Sequence, residues 1–119
     1  MPTSVIAQDI MAEHLLVHNA IVFLKDSPMR LRSGLVTPIY VDNRNLPSFP
    51  EVWRDIIETM ASRIVELNIP FDVIAGVEGA GTAHGAAIAY RLGIPFVTVR
   101  RQPKGYGNKT RIDGAEVKD

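Results

Sequence analysis

Two short segments carry residue types and spacings that could do chemistry, and the first is the glycine-rich turn Gly76–Gly81, with the spacing Gly-x-x-Gly-x-Gly. Glycines there allow a positive φ and let a ligand approach the backbone closely. The helix predicted to follow would direct free N–H groups and its positive dipole end toward an anion. Because the spacing is neither the dinucleotide fingerprint nor a P-loop, it fits a phosphate-binding loop and a tight turn equally well. Glu78 would repel an anion unless its side chain points away or helps to hold a cation.

The second segment, Arg100–Arg111, is basic: it holds five Lys or Arg residues and no acidic residue. It directly follows the apolar, β-rich run Phe96–Val99. Ligands of open α/β sheets bind at the carboxyl ends of parallel strands, and basic groups on a loop at that place would attract a phosphate-rich substrate. The charge alone would also fit a solvated turn, but the position favours a binding function.

The histidines and the absence of cysteine limit the kinds of metal site and catalysis that the chain can contain. His14 and His18 are four residues apart near the end of a predicted helix, and no third ligand is placed by the sequence, which favours a surface role over a metal site. His84 lies in the first turn of another predicted helix and could face a ligand. The lack of cysteine excludes disulfide scaffolds, zinc–cysteine sites and thiol catalysis, and no nucleophile elbow appears.

The sequence predicts a mixed α/β fold, whose helices and strands must position the glycine turn and the basic segment. Ser48–Glu51 has the pattern of a capping box, and the apolar residues after it recur at helical spacing from Val52 to Ile64, which predicts a helix that ends near Asn68, before Pro70. Phe71–Ala75 is then predicted to be a buried strand, a helix rich in small residues runs from the glycine turn to Leu92, and Phe96–Val99 forms a second strand. Strand, helix and strand within about 30 residues make a βαβ unit and hence a parallel sheet.

The N-terminal third is predicted to hold a helix and several short strands. The helix comes first, Ala20–Leu24 is a short strand, and Met29–Arg32 and Leu35–Val41 form a strand pair around a Ser-Gly turn. Pro38 lacks a backbone N–H, so it predicts an edge strand or a break in the second strand of this pair.

Length and composition are those of one soluble globular domain. The chain has 119 residues, of which 46% are apolar and 22% are charged. The 13 basic and 13 acidic residues cancel, so we expect neither a nucleic-acid partner nor a membrane. No apolar run approaches the length of about 20 residues that a membrane span needs, and the first residues lack the features of a signal peptide, which predicts a cytoplasmic protein.

Three motifs, in order along the chain, closely resemble those of orotate phosphoribosyltransferases. Arg30–Arg44 resembles the family's N-terminal signature, an aromatic-x-Leu-Lys/Arg-Ser-Gly stretch followed by Ser/Thr-Pro-x-Tyr/Phe and Asp-x-Arg. The turn Gly76–Gly81 is similar to the pyrophosphate-binding loop, and Arg100–Gly107 is similar to the mobile catalytic loop, Arg-Lys/Arg-x-x-Lys-x-His/Tyr-Gly. The family uses Mg²⁺ and transfers a phosphoribosyl group from phosphoribosyl pyrophosphate (PRPP) to orotate, giving orotidine monophosphate and pyrophosphate in pyrimidine biosynthesis.

The resemblance implies a role for each matching residue. Lys104 and Arg100 would be catalytic, because they would stabilise the charge that develops on pyrophosphate. The pyrophosphate loop would consist of Gly76, Val77, Glu78 and Gly79. Substrates would be bound by residues of the hood over the site, the orotate wall and the catalytic loop: Arg32, Tyr40, Val41, Arg101 and Tyr106. No residue is assigned as a metal ligand, since Mg²⁺ would be bound with PRPP, and the family's catalytic loop acts in trans, which implies a homodimer.

The family's most diagnostic motif is absent from the sequence. That motif is a hydrophobic strand, an acidic pair and a Thr/Gly-rich loop, which together bind the ribose 5-phosphate and hydroxyls, and in family order it would begin just after Asp119. The resemblance therefore predicts a partial type I phosphoribosyltransferase fold in a single incomplete domain over residues 1–119. The N-terminal helix and hood strands would occupy about residues 1–45, and the front of the α/β core about residues 46–119, with the catalytic loop at 100–111.

Three hypotheses follow from this partial match. The chain is part of an orotate phosphoribosyltransferase, or half of a split enzyme whose PRPP-binding half is another polypeptide, or a non-catalytic module that binds a nucleotide or a protein. The basic residues of the catalytic loop favour the first two, because a binding module has no evident need of them. A related base specificity is also open. In each case we expect little or no transferase activity from the 119 residues alone.

Overall fold

The computed structural model describes residues 3–107 and 110–118, and side chains from residue 8 onward. The chain divides into two compact units, Met1–Trp53 and Arg54–Asp119. The single incomplete domain expected from the sequence stays a prediction.

The described residues of the first unit before Asp42 form a helix and two small antiparallel pairs of strands. These elements are α1 (Thr3–Val17), β1 (Ile21–Phe23), β2 (Met29–Arg30), β3 (Val36–Thr37) and β4 (Ile39–Val41). β1 pairs with β4, and β2 pairs with β3. The predicted short strand at Ala20–Leu24 and the predicted pairing across the Ser-Gly turn are both confirmed.

Pro38 breaks the strand predicted at Leu35–Val41 into β3 and β4, which have different partners. Proline cannot donate a ladder hydrogen bond, but its carbonyl accepts one from the Leu24 N–H at 2.6 Å. The Thr37 hydroxyl donates to the Ile39 carbonyl at 3.0 Å and accepts from the Ile39 N–H at 3.1 Å. The break expected at this proline is therefore confirmed, and it frees β4 to pair with β1.

Helix α2 (Pro50–Leu67) follows a 3₁₀ helix at Asn43–Ser48. Its buried residues follow one another at spacings of four, one and four positions, which share one helix face as the apolar pattern predicts: Val52, Ile56, Ile57 and Ala61. After the helix, Asn68 has a φ of 48°, a left-handed conformation that asparagine tolerates better than most residues. The predicted helix and its end near Asn68 are confirmed.

The second unit holds a three-stranded sheet beside a helix. Its elements after α2 are β5 (Ile74–Val77), α3 (Ala80–Leu92), β6 (Phe96–Val99) and β7 (Ile112–Asp113). β5 and β6 are parallel, and β7 pairs antiparallel with the other side of β6. The predicted βαβ unit is confirmed, whereas β7 was not predicted.

The first strand of this unit lies later in the chain than the sequence predicts. The expected strand Phe71–Ala75 is instead Ile74–Val77, because its partner begins only after Pro95, whose carbonyl accepts the Ile74 N–H at 2.9 Å. Helix α3 packs on β5, yet Val77 is 54% exposed. None of the residues of the predicted run Phe71–Ala75 is buried either, so the expectation of a buried strand there is wrong.

The buried side chains of the described residues are all apolar, and none is polar or charged. Those of the first unit are Ala20, Leu46 and Val52, and those of the second are Ile56, Ile57, Ala61, Ile88, Ala89 and Val97. Among the described residues, no helix has both the length and the apolar character that crossing a bilayer requires.

Candidate functional site

The glycine turn joins β5 to α3, and its first glycine is required by close packing. A Cβ atom on Gly76 would lie 2.6 Å from the Gly81 carbonyl oxygen and 2.9 Å from the Phe96 ring. A Cβ on Gly85, in the second turn of α3, would lie 3.0 Å from the same ring and 3.2 Å from the Gly76 Cα. Both glycines therefore let α3 lie directly against the strands, which is a structural role, and the assignment of Gly76 to a pyrophosphate loop stays a prediction.

The later part of the same turn is open. A Cβ on Gly79 would meet no atom within 4 Å, and Gly79 immediately precedes the first residue of α3. With Val77 also exposed, this part of the turn has room for an anion at the helix N-terminus. The structure thus combines the two interpretations of the motif, packing at its first glycine and open space at Gly79. A pyrophosphate ligand there stays a prediction.

Glu78 connects the glycine turn to the basic loop. Its N–H donates to the Val99 carbonyl at 2.9 Å, at the carboxyl end of β6. Its carboxylate oxygen Oε1 accepts a hydrogen bond from the Arg101 N–H at 2.6 Å. The carboxylate is therefore turned to the start of the basic loop, and the two segments singled out from the sequence meet at this residue.

The basic loop leaves β6 and returns as β7, so its two ends are held together. The Arg100 N–H donates to the Arg111 carbonyl at 2.6 Å, and the Arg111 Nε donates to the Arg100 carbonyl at 3.0 Å. Arg101 is exposed, and Tyr106 is 79% exposed. Asn108 and Lys109, which belong to the predicted catalytic loop, lie outside the described residues.

Asp113, on β7, binds both of the residues predicted to be catalytic. Its Oδ2 is 2.5 Å from the Arg100 Nε, and its Oδ1 is 2.8 Å from the Lys104 Nζ. The hydrogen bond from Lys104, and then that from Arg100, lowers the pKa of the Asp113 carboxyl below its usual value despite some desolvation. Sequence reasoning missed this role, because the pairing that places Asp113 opposite Thr98 involves a strand of two residues.

The N-terminal signature forms a small polar cluster at the end of β4. Arg44 donates through Nε and one terminal nitrogen to the two carboxylate oxygens of Asp42, each at 2.7 Å. The same terminal nitrogen lies 3.2 Å from the Tyr40 hydroxyl oxygen. The hydrogen bonds from Arg44 lower the pKa of Asp42 to about 2, so Asp42 is a carboxylate at neutral pH. The Asp-x-Arg part of the signature therefore holds the predicted substrate-binding Tyr40.

The other predicted substrate-binding residues of the first unit are accessible. Arg32 is exposed in the turn between β2 and β3, and Val41 is 54% exposed at the end of β4. Val41 pairs with Ile21 across the two strands, next to the pair formed by Tyr40 and Val22. Tyr40 and Val41 therefore share a strand, and their assignment to orotate stays a prediction.

Within the described ranges, metal ligands are not gathered in one place. The part of the chain that the structure describes contains no group of three or more His, Asp or Glu side chains that could hold a metal ion. The carboxylates nearest the basic loop are occupied, Glu78 by the Arg101 N–H and Asp113 by two cations. These residues do not fit a Mg²⁺ ion held by protein ligands.

The curated relatives that the chain matches are orotate phosphoribosyltransferases. No family model matches the chain. It is 39% identical over 108 residues, 89% of its length, to the orotate phosphoribosyltransferase of Rhizobium meliloti (strain 1021). It is 43% identical over 107 residues to that of Ruegeria sp. (strain TM1040). The chain is homologous to orotate phosphoribosyltransferases. It spans about half the length of these relatives, 47% of each.

Solved structures of phosphoribosyltransferases share the fold. Leishmania donovani UMP synthase matches 91% of this chain over 22% of its own, with a TM-score of 0.72 and 27% identity. The orotate phosphoribosyltransferase of Aeropyrum pernix gives a TM-score of 0.73 over 91% of this chain and 59% of its own, at 23% identity. The adenine phosphoribosyltransferase of Saccharomyces cerevisiae gives a TM-score of 0.60. The chain thus has part of a type I phosphoribosyltransferase fold, as predicted.

Proposed function

We propose that this chain supplies the pyrophosphate loop and the catalytic loop of an orotate phosphoribosyltransferase, which transfers phosphoribosyl from PRPP to orotate. The observation that carries the proposal is the hydrogen bond between the Arg101 N–H and Glu78 Oε1. It brings an open helix N-terminus and a strongly basic loop to the same end of two parallel strands, where ligands of such sheets bind. Homology to orotate phosphoribosyltransferases supports the choice of reaction.

The reaction asks the protein for positioning and charge stabilisation. The bond between ribose C1 and the pyrophosphate oxygen breaks, and its electron pair leaves with pyrophosphate. A ring nitrogen of orotate then bonds to C1 and releases its proton to water. Arg100, Arg101 and Lys104 would stabilise the developing negative charge, while backbone N–H groups near Gly79 would hold the leaving group.

The substrate side of the proposal rests on the N-terminal signature. Tyr40 and Val41 would form the wall against which orotate lies, and Arg32 would contact the substrates from the hood. The hydrogen bond from Arg44 restricts the Tyr40 side chain, and a restricted side chain loses less entropy when a ligand binds. Tyr106, which is exposed on the basic loop, would contact substrate once the loop has closed.

Metal, assembly and location complete the proposal. Mg²⁺ would arrive on the phosphate oxygens of PRPP, as Mg²⁺ commonly does with phosphorylated substrates, so no protein-held metal site is required. We propose a cytoplasmic homodimer in which the loop acts on the neighbouring subunit's site. The exposure of Arg101 and Tyr106 is compatible with a loop that reaches outward.

A chimera tests the proposed function. The 108 matched residues of the Rhizobium meliloti relative are replaced by the matching residues of this chain, and orotidine monophosphate formation is measured with orotate, PRPP and Mg²⁺. We expect the chimera to be active and the 119-residue chain alone to show little or no activity. A chimera that unfolds cooperatively in urea but forms no orotidine monophosphate would contradict the proposal.

Two further outcomes separate the other hypotheses. Robust orotidine monophosphate formation by the 119-residue chain alone would show that it needs no second half. An inactive chimera, together with saturable calorimetric binding of a nucleotide to this chain, would favour the non-catalytic binding module.

A further inference from the structure

We propose that Asp113 is a positioning residue of the catalytic loop, which holds Lys104 and Arg100 while the site is empty and releases Lys104 to pyrophosphate when it binds. The proposal rests on the proposed function, because it takes pyrophosphate to be the loop's ligand. Asp113 with its two cationic partners is called the Asp113 clamp.

The carboxylate of the clamp is fixed by the sheet, whereas its Lys partner is on the loop. Asp113 lies opposite Thr98 in the β6–β7 pairing, and Arg100 immediately follows β6. Lys104 lies four residues further into the loop, and its Nζ reaches Oδ1 at 2.8 Å. An anchored carboxylate and a cation on a loop make a contact that can open without any rearrangement of the strands.

Each cation keeps hydrogen-bonding capacity while it is in the clamp. A Lys ammonium has three donors and an Arg guanidinium has five, and the contacts to Asp113 use the Lys104 Nζ and the Arg100 Nε. Both cations therefore contact the same carboxylate, and each has further N–H donors that this contact does not use. A polyanion that arrives at this point meets two positive charges already close together.

Solvent exposure makes the clamp easy to open. The side chains of Lys104 and Asp113 are each 31% exposed, and that of Arg100 is 37% exposed. Partly exposed ion pairs contribute little net stability, because water screens the charges and long side chains lose entropy when they pair. Pyrophosphate carries more negative charge than one carboxylate, so it can compete successfully for the Lys104 ammonium.

The test is calorimetric binding of pyrophosphate, without Mg²⁺, to the 119-residue chain and to two variants. Asp113→Asn removes the competing charge, and we expect pyrophosphate to bind about fivefold more tightly than to the unmodified chain. Glu116→Gln is the matched control, because it removes the same charge from an 80%-exposed carboxylate that pairs only loosely with Lys118, at 3.9 Å. For this control we expect an affinity change of less than about twofold.

A double-mutant cycle separates the clamp from a general charge effect. When Lys104 is already Ala, Asp113→Asn should raise pyrophosphate affinity by less than it does in the unmodified chain, since the cation that it would release is absent. Equal gains in the two backgrounds, or equal effects of Asp113→Asn and Glu116→Gln, would overturn the proposal while leaving pyrophosphate binding, and so the proposed function, intact.

A second readout does not depend on pyrophosphate. Hydrogen exchange at the Arg100 Nε–H, followed by NMR, should be faster in Asp113→Asn than in Glu116→Gln, because only the first change replaces the charged acceptor at 2.5 Å by a neutral amide, which accepts a weaker hydrogen bond. If no variant binds pyrophosphate, the proposed function loses its support. Unchanged exchange in Asp113→Asn would by itself overturn the clamp.

Discussion

Arg44 shows how one side chain can restrict a residue that is predicted to contact substrate. It donates two hydrogen bonds of 2.7 Å to the Asp42 carboxylate and one of 3.2 Å to the Tyr40 hydroxyl oxygen. The paired, planar geometry suits a guanidinium and a carboxylate, and a Lys side chain could not reproduce it. Arg44 therefore restricts the Tyr40 side chain through the fixed geometry of its own hydrogen bonds rather than through charge alone.

The titration of Asp42 tests this cluster. We expect its carboxyl to have a pKa of about 2, and we expect Arg44→Ala to return the pKa toward the ordinary value of about 3.9. Because the folded-state pKa is lowered, the pair contributes stability above about pH 4, and that stability is lost as the pH falls toward 2. The measurement is an NMR titration of the carboxyl carbons over a pH range that includes both pKa values.

Arg63→Ala is the control for this titration, since Arg63 pairs with Glu66 on an exposed face of α2. It should leave the Asp42 pKa unchanged. An Asp42 pKa that is the same in Arg44→Ala as in the unmodified chain would show that the two side chains do not interact in solution.

The packing of α3 against the strands β5 and β6 depends on Gly76. An alanine there would place its Cβ 2.6 Å from the Gly81 carbonyl oxygen and 2.9 Å from the Phe96 ring. Since backbone cannot move aside as a flexible side chain can, we expect Gly76→Ala to lower the free energy of unfolding by about 1–3 kcal/mol. Urea unfolding followed by circular dichroism measures the change.

Gly105→Ala is the matched control for Gly76→Ala. A Cβ on Gly105 would meet no atom within 4 Å, so the free energy of unfolding should stay within about 0.5 kcal/mol of that of the unmodified chain. If both variants unfold at the same urea concentration, the close approach of α3 to β5 is not a feature of the folded protein.

Elements with a strong local pattern were predictable from the sequence, and those set by pairing were not. Helix α2 carries its apolar face in its own spacing, and Pro38 signals a strand break by its missing N–H. The register of β5 depends instead on where β6 begins, after Pro95. β7 has two residues, too few for any period to be recognised, so the position of Asp113 could not be predicted.

At the scale of the whole chain, a net charge of zero conceals a local arrangement of charges. The basic loop contains no acidic residue, yet β7 places a carboxylate between two of its cations. Sequence reasoning correctly placed a basic loop after β6 and a glycine turn before α3, whereas the ligands of both segments stay predictions. It could not predict the counter-charge of the loop's cations, because that contact depends on the return of the chain after the loop.

The chain spans about half of its relatives' length, and this determines in which protein its catalytic contribution is measured. The loop and the turn are both within the matched region, so their contribution is measured best where the remainder of a relative is present. The chimera with the Rhizobium meliloti relative provides that setting.

The most direct measurement is the turnover number of Lys104→Ala in this chimera, with Lys118→Ala as the control. Lys118 is 78% exposed and outside the loop, so its removal should leave turnover unchanged. Removing a group that stabilises developing charge typically lowers turnover by about 10²–10³-fold, and we expect a loss of that size for Lys104→Ala with the fold intact. Equal turnover numbers for the two variants would contradict the assignment of the catalytic loop.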